Sequence, residues 1–309
     1  MKKLAIIVPV YNEEDVIDKF YKILCEELCK IDKKNYQPHL FFINNCSNDQ
    51  SLEKLVQIFK SSNNCSILSL SRNFGYQNSL YFSLKEINVD LYTFIDVDCE
   101  DPPHLISEFI DKSEDGYDIV YGKRVDRHEI FLMKSLRNIF YRIAKYLADD
   151  DIILYMAEFS LFTREVRDAV INENNSFPFI RSNIARVGFK RLGIPYKRDK
   201  RIAGKTNYNF ISMFIFAIAG ILTSSTLLLR LPIYTFPIIL ILSILNVFIG
   251  FVSLSYIFLI LLLFIFFTLS IVSLYIARIY KNQFNRPNAY ISNKNSFIRN
   301  ENFISSQNN

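Results

Sequence analysis

The chain has 309 residues, half of them hydrophobic, and a net charge of +5 with a pI near 8.8. It can bury a large core and exceeds one average domain, and its basic balance suits an anionic membrane surface or nucleic acid. All five cysteines lie in the first hundred residues without a Cys-x-x-Cys pair, which argues against a zinc site or a disulfide framework and fits a reducing cytosolic setting.

Apolar runs of strand type alternate with helix-like segments in the first hundred residues. The runs read KLAIIVPV, HLFFIN, CSILSLS and LYTFID, and this alternation predicts a mainly parallel sheet with helices on both faces and ligands at the carboxyl ends of the strands. The first run is too short for a signal peptide. None of the eight glycines forms a G-x-G-x-x-G or G-x-x-x-x-G-K motif, which argues against a dinucleotide site or a P-loop.

The fourth run ends in a cluster of carboxylates, TFIDVDCEDPP, at Thr93 to Pro103. Asp96 and Asp98 are two residues apart, so both point to one side if the strand continues to them. Such a pair suits Mg²⁺ or Mn²⁺ bound together with diphosphate oxygens, with Glu100 as a third ligand. The alternative is an ordinary loop, in which Asp-x-Asp is common. We expect Asp101 to be the N-cap of the following helix, with Pro102 at its first position.

The last third of the chain predicts a membrane hairpin. No charged residue occurs from Leu231 to Ala277, and this segment divides into two runs of spanning length, Pro232 to Val252 and Ser255 to Ala277. Basic residues on both sides place both ends in the cytoplasm. Phe210 to Leu229 carries a weak polar stripe and predicts helices lying in the membrane interface. The Asn- and Ser-rich tail from Asn293 to Asn309 predicts disorder.

Five segments in the same order resemble family 2 glycosyltransferases of the polyprenyl-phosphate type, which include dolichol-phosphate mannosyltransferases and bactoprenol glucosyltransferases. They are VPVYNEE (8–14), SRNFGYQNSL (71–80), DVDCEDPP (96–103), YGKR (121–124) and RIAGKTNY (201–208). The tail segment at 275–291 is similar to the bactoprenol group. The resemblance implies a GT-A-type mainly parallel sheet with helices on both faces, followed by interfacial helices and a two-helix transmembrane hairpin.

The resemblance also implies the site residues. Asp98 and Glu100, with Asp96, would hold Mg²⁺ or Mn²⁺, and Glu158 would orient the acceptor or the anomeric centre. The donor contacts would be Pro9, Tyr11, Glu13, Asn45, Arg72 and Asp96. A lipid phosphate is largely dianionic at neutral pH and hardly needs a base, so cations matter more. The candidates in matching segments are Arg124, Arg137, Arg201 and Thr206, although a solvated surface role remains open for each arginine.

Four segments depart from the family pattern. Asn44-Asn45 stands where acids are usual, Glu100 replaces Gln, Glu158 replaces Asp, and GKT replaces the commoner GES or GKS. An Asp at position 45 would receive a base N–H, which Asn accepts more weakly because it is uncharged. These changes alter donor recognition or reduce the rate.

The sequence therefore predicts an inverting, metal-dependent transferase of the cell envelope that moves a sugar from a nucleotide-sugar to a polyprenyl phosphate, with undecaprenyl phosphate favoured. It divides into a cytosolic catalytic domain (1–208), interfacial helices (209–230), a transmembrane hairpin (231–278) and a partly disordered cytosolic tail (279–309). A homo-oligomer is left open, and no nucleic acid is expected. A processive synthase is set aside because the chain has no tryptophan for a Gln-x-x-Arg-Trp motif. The alternative is a catalytically impaired relative that is the membrane partner of a flippase or another transferase.

Overall fold

A computed structural model describes residues 1–32, 36–124, 156–173, 176–199, 226–250, 253–284, 286–299 and 303–304. Arg137, Arg201, Thr206 and nearly all of the expected interfacial segment lie outside these residues. The strands are β1 Lys2–Val10, β2 Tyr36–Asn44, β3 Cys65–Ser69, β4 Leu91–Phe94, β5 Ile119–Arg124, β6 Met156–Thr163 and β7 Arg191–Tyr196. The helices are α1 Ile17–Asp32, α2 Ser51–Ser61, α3 Tyr76–Glu86, α4 Leu105–Glu114, α5 Arg164–Asn172, α6 Ile180–Arg186, α7 Leu227–Ile249 and α8 Leu254–Gln283.

The seven strands form one sheet in the order β3-β2-β1-β4-β6-β5-β7. Neighbours from β3 to β4 are parallel, β6 runs antiparallel between β4 and β5, and β5 pairs with β7 in parallel. The four predicted apolar runs are the four parallel strands, and the expected fold class is confirmed. Their carboxyl ends therefore lie at one edge of the sheet.

Both faces of the sheet are covered, and the central strand β1 is apolar from Leu4 to Val10. Along β1, Leu4, Ile6 and Val8 pack on one face against α1, α2 and α4. Ala5 and Ile7 pack on the other face against α3, α5 and α6. Side chains alternate between the faces of a strand, so an unbroken apolar run is what a two-sided layer requires.

Two helices of the described chain are long and apolar enough to cross a membrane, by length and composition. They are α7 and α8, and they pack against each other, with the rings of Phe236 and Phe264 6.0 Å apart. Most of their large apolar side chains are otherwise exposed. Helix α7 begins at Leu227, so it includes the last residues of the segment that we expected to lie in the interface.

The C-terminal tail packs on the domain formed by the seven-stranded sheet, so the prediction of disorder is wrong for its described residues. Ile291 bridges Leu70, Phe297 bridges Ile67, and Ile304 bridges Ile87, all antiparallel. Phe303 is 2% exposed. Because β3 is an edge strand, this tail occupies backbone groups that would otherwise be open to pairing.

Candidate active site

Three neighbouring strands end in turns that contain a residue in the left-handed region. Asn12 follows β1 with φ 54°, Cys46 follows β2 with φ 59°, and Cys99 follows β4 with φ 59°. This conformation is unfavourable for residues with a Cβ and persists where the surroundings fix it. Three such turns at one edge of the sheet mark that edge as the candidate site.

The turns after β1 and β2 are tied to each other. The Asn12 N–H donates to Ser47 Oγ at 3.1 Å, and Asn12 Oδ1 accepts the Asn48 N–H at 2.8 Å. The Glu13 N–H donates to Ser51 Oγ at 2.8 Å. These bonds bring the turn that carries Pro9, Tyr11 and Glu13 beside the turn that carries Asn45.

Asp96 and Asp98 lie in the turn after β4, beside these two turns. Asp98 is 6% exposed and accepts the N–H of Glu100 at 3.0 Å. Asp96 Oδ1 accepts a hydrogen bond from the Tyr76 hydroxyl at 2.8 Å. Burial, together with the negative charges of Asp101 and Asp98, raises the pKa of Asp96 to about 7, although the Tyr76 bond opposes this. The turn thus holds more negative charge than its own contacts neutralise.

Asp101 is not the N-cap that we expected. Helix α4 starts at Leu105, with His104 preceding it, and the Asp101 carboxylate is 1% exposed. It accepts a short bond from the Tyr196 hydroxyl, and Arg124 Nη2 lies 3.2 Å from it. A buried carboxylate needs such partners more than a helix end needs a cap.

Arg124 is held inside the site by Asp101. Burial alone would lower the pKa of its guanidinium, but Asp101 and Tyr196 raise it above the ordinary value. Its Nε also donates to the Tyr196 hydroxyl at 3.1 Å. These contacts direct Arg124 to the protein, and its contact with a substrate phosphate stays a prediction.

Arg198 is a site residue that was not predicted from the sequence. Its Nη1 lies 2.5 Å from Glu100 Oε2, and its guanidinium approaches Asp98 at 3.9 Å and Asp101 at 3.8 Å. It precedes the matching segment at 201–208 by three residues, and no local pattern distinguishes it from neighbouring basic residues. The pairing is visible only after the Glu100 turn and the loop after β7 meet, where the Asp199 N–H donates to the Glu100 carbonyl at 2.9 Å.

The residues fit a divalent cation in part. Within the described ranges, no three His, Cys, Asp or Glu side chains form a metal-binding group. Asp96 and Asp98 nevertheless offer hard carboxylate oxygens whose charges repel each other, which suits a cation whose remaining ligands are substrate oxygens and water. Glu100 is paired with Arg198, so its role as third ligand stays a prediction.

Helix α3 connects the two sides of the site. Tyr76 bonds Asp96, and the next residue, Gln77, donates from Nε2 to Glu158 Oε1 at 3.5 Å. Glu158 lies on β6 and is partly exposed. The structure therefore places Glu158 and Asp96 on either side of the first turn of α3. Arg72 lies before this helix, exposed, with its guanidinium 4.0 Å above the Phe74 ring.

The comparisons with known proteins agree on one family. The model of Glycosyl transferase family 2 matches residues 5–170. An uncharacterized glycosyltransferase of Bacillus subtilis is 34% identical over 96% of this chain and 95% of its own length. The bactoprenol glucosyl transferase of Shigella phage SfX is 32% identical over 75% of each chain. A solved mannosyltransferase from Pyrobaculum calidifontis, in complex with GDP-Man and Mn²⁺, aligns over 92% of this chain and 88% of its own at 15% identity, with a TM-score of 0.46.

Proposed function

The chain belongs to glycosyl transferase family 2, and from this premise we propose that it transfers a sugar from a nucleotide-sugar to a membrane polyprenyl phosphate. The observation that carries the proposal is the acidic turn at Asp96 and Asp98, held at the carboxyl edge of the sheet, where Asp96 lies beside the charges of the buried Asp98 and Asp101. Relatives named bactoprenol glucosyl transferase support the lipid acceptor.

In the proposed reaction, an oxygen of the lipid phosphate attacks the anomeric carbon of the donor sugar and inverts its configuration. The bond from that carbon to the nucleoside diphosphate breaks, and the diphosphate leaves with the electron pair. Asp96 and Asp98, with Glu100 if Arg198 releases it, would hold a Mg²⁺ or Mn²⁺ ion, which neutralises charge on the departing diphosphate. Glu158 orients the acceptor or the anomeric centre. Pro9, Tyr11, Glu13 and Arg72 surround the donor.

The proposed membrane arrangement rests on where the chain returns. Residues 286–299 and 303–304 pack on β3 and its neighbours, and the Ser176 N–H donates to Asn282 Oδ1 at the end of α8 at 3.0 Å. These contacts support an arrangement in which the chain after α8 lies on the same side of the membrane as the domain that contains the sheet, with an even number of crossings between the two. We place that side in the cytoplasm, because basic residues flank the apolar helices.

The test is synthesis of a glycolipid. Full-length protein in detergent would be incubated with undecaprenyl phosphate, Mg²⁺ and a panel of nucleotide-sugars, and the lipids would be analysed by mass spectrometry. We expect one donor to give a polyprenyl-phosphate sugar. Asp98→Asn is the matched control, because it keeps the shape of the side chain and removes its charge.

The second candidate is a catalytically impaired relative that acts as a membrane partner of a flippase or another transferase. Asn44 and Asn45 favour it, since they stand where the family pattern has acids. Absence of product with every donor in the panel, from protein that is folded, would support this candidate against the transferase.

A further inference from the structure

Asn45 is bonded at both ends of its side-chain amide to the loop that precedes α3. Its Oδ1 accepts the backbone N–H of Phe74 at 2.9 Å, and its Nδ2 donates to Asn73 Oδ1 at 3.0 Å. Asn73 Oδ1 also accepts the backbone N–H of Gly75 at 2.8 Å. Asn45 is 4% exposed, whereas Asn73 and Gly75 are exposed. We call this set of three bonds the loop clamp.

The orientation of both amides follows from the backbone. The N–H groups of Phe74 and Gly75 are donors only, so each must face an oxygen. This fixes Asn45 Oδ1 on Phe74 and Asn73 Oδ1 on Gly75, and leaves Asn45 Nδ2 facing Asn73 Oδ1. An aspartate at position 45 could keep the Phe74 bond, but when ionised it would set a second acceptor against Asn73 Oδ1. The loop clamp therefore requires an amide at position 45.

The clamped loop carries Arg72 and leads into the helix that contacts the acidic turn. Arg72 stacks on Phe74, with its guanidinium 4.0 Å from the ring centre. Gly75 has φ 86°, a conformation that side chains with a Cβ rarely adopt. The loop then enters α3, whose first residue, Tyr76, bonds Asp96. Displacement of Asn73 would thus reach both Arg72 and the acidic turn.

We propose that Asn45 is a positioning residue, which acts on the nucleotide through the loop clamp and not by accepting an N–H from the base. This proposal rests on the proposed function, because it assigns the loop to the donor. It also explains the departure from the family pattern at position 45. The amide holds the loop that carries Arg72 and does not contact the base.

The first test is hydrogen exchange at pH 8, which needs no activity. In the wild type, we expect slow exchange at Phe74 and Gly75 although the loop is exposed. Asn45→Asp should accelerate exchange of the Gly75 N–H about tenfold. The Phe74 N–H should stay protected, because the carboxylate still accepts its hydrogen bond. Asn45→Ala should accelerate both. Asn73→Asp is the matched control: it adds the same charge but keeps both bonds of the oxygen, so neither amide should change.

The second test compares UDP and CDP by calorimetry in Mg²⁺ buffer. Uracil has an N3–H that a carboxylate can accept, and cytosine has none. The loop clamp predicts that Asn45→Asp weakens both nucleotides by the same factor, about five- to tenfold relative to Asn73→Asp, as for one lost hydrogen bond. A direct contact at the N3 position of the base predicts that Asn45→Asp tightens UDP relative to CDP, because cytosine N3 is an acceptor and repels a carboxylate, and this result would overturn the proposal.

Two outcomes separate this proposal from the proposed function. Fast exchange at Phe74 and Gly75 in the wild type would refute the loop clamp whatever the protein catalyses, and this measurement needs no variant to fold. If the wild type binds neither nucleotide while both amides exchange slowly and respond to the variants as expected, the clamp exists and the assignment of the loop to a pyrimidine nucleotide donor is wrong.

Discussion

Acidification should destabilise the protein through one buried histidine. His39 is 1% exposed on β2, its Nε2 lies 2.8 Å from Ser66 Oγ, and its ring packs between Phe41 and Phe303 at 4.7 and 5.0 Å. Among the described residues, the groups around it include no carboxylate: Lys3 lies over the Phe303 ring, and the Arg299 main chain bonds Ser66. Burial lowers the pKa of His39 from 6.5 to about 4.

The sign and size of the effect follow from linkage. A base whose pKa is lower in the folded state stabilises the fold above its unfolded pKa, and this contribution is lost as the pH falls from about 6.5 toward 4. For a pKa of about 4 against 6.5, the loss between pH 7 and pH 5 is about 2 kcal/mol. Protonation should also release the tail, because Phe303 covers the ring.

The assay is urea unfolding of the full-length protein in detergent, followed by circular dichroism from pH 5 to pH 8. His39→Gln is the control, since a glutamine can bond Ser66 and does not titrate in this range. Other groups titrate in both proteins and cancel in the difference. Between pH 7 and pH 5, the free energy of unfolding of the wild type should fall by about 2 kcal/mol more than that of His39→Gln. Parallel stability curves for the two proteins would refute the reasoning.

Three further predictions concern the proposed function. Asp98→Asn should lower the transfer rate on the order of a hundredfold or more, as losses of transition-state charge stabilisation do, and full wild-type activity in excess chelator would contradict the metal role. Arg201→Ala should raise the KM for polyprenyl phosphate far more than that for the nucleotide-sugar, and Arg201→Lys should recover only part of it; normal kinetics for both would make Arg201 a surface charge. Reporters fused after Ser253 and after Asn309 should label on opposite sides of the membrane, and labelling on one side would contradict the hairpin.

The parallel half of the fold could be predicted because its signal is local. Each of the strands β1 to β4 is an apolar run followed by turn residues, and burial on both faces leaves no alternation to misread. The insertion of β6 between β4 and β5 could not be read from the chain, since strand order depends on contacts between distant segments. The apolar helices were also predictable, because a bilayer imposes length and composition directly.

The tail was predicted to be disordered because its composition is polar. Composition does not show which residues contact the folded domain. Asn and Ser dominate the segment, but Phe297 reaches the edge strand β3 and Phe303 packs against His39 and Phe41 of β2. Phe297 exchanges backbone bonds with Ile67 at 2.7 and 2.8 Å. The edge strand β3 supplies these partners, and the sequence of the tail contains no pattern that predicts them.

The ion pairs of the site were missed for a related reason. Arg198 and Glu100 are far apart in the sequence, and Arg198 looks like an ordinary surface charge. A buried carboxylate without a partner costs free energy, so Asp98 and Asp101 favour a fold in which the guanidinium of Arg198 lies beside them. Sequence motifs identified the carboxylates, whereas their partners depend on the fold.

One route of contacts joins the apolar helices to Glu158. At the end of α8, Arg278 and Lys281 lie 4.8 and 5.3 Å from the centre of the Phe177 ring. The same segment continues to Ile180, whose N–H donates to Gln77 Oε1 at 2.8 Å, and the other end of that amide reaches Glu158. Because the backbone donor fixes the Gln77 oxygen on Ile180, its nitrogen must face Glu158. With α8 placed in a bilayer as proposed, these contacts would fix the distance between Glu158 and the membrane surface. A lipid phosphate would meet a soluble donor at that surface.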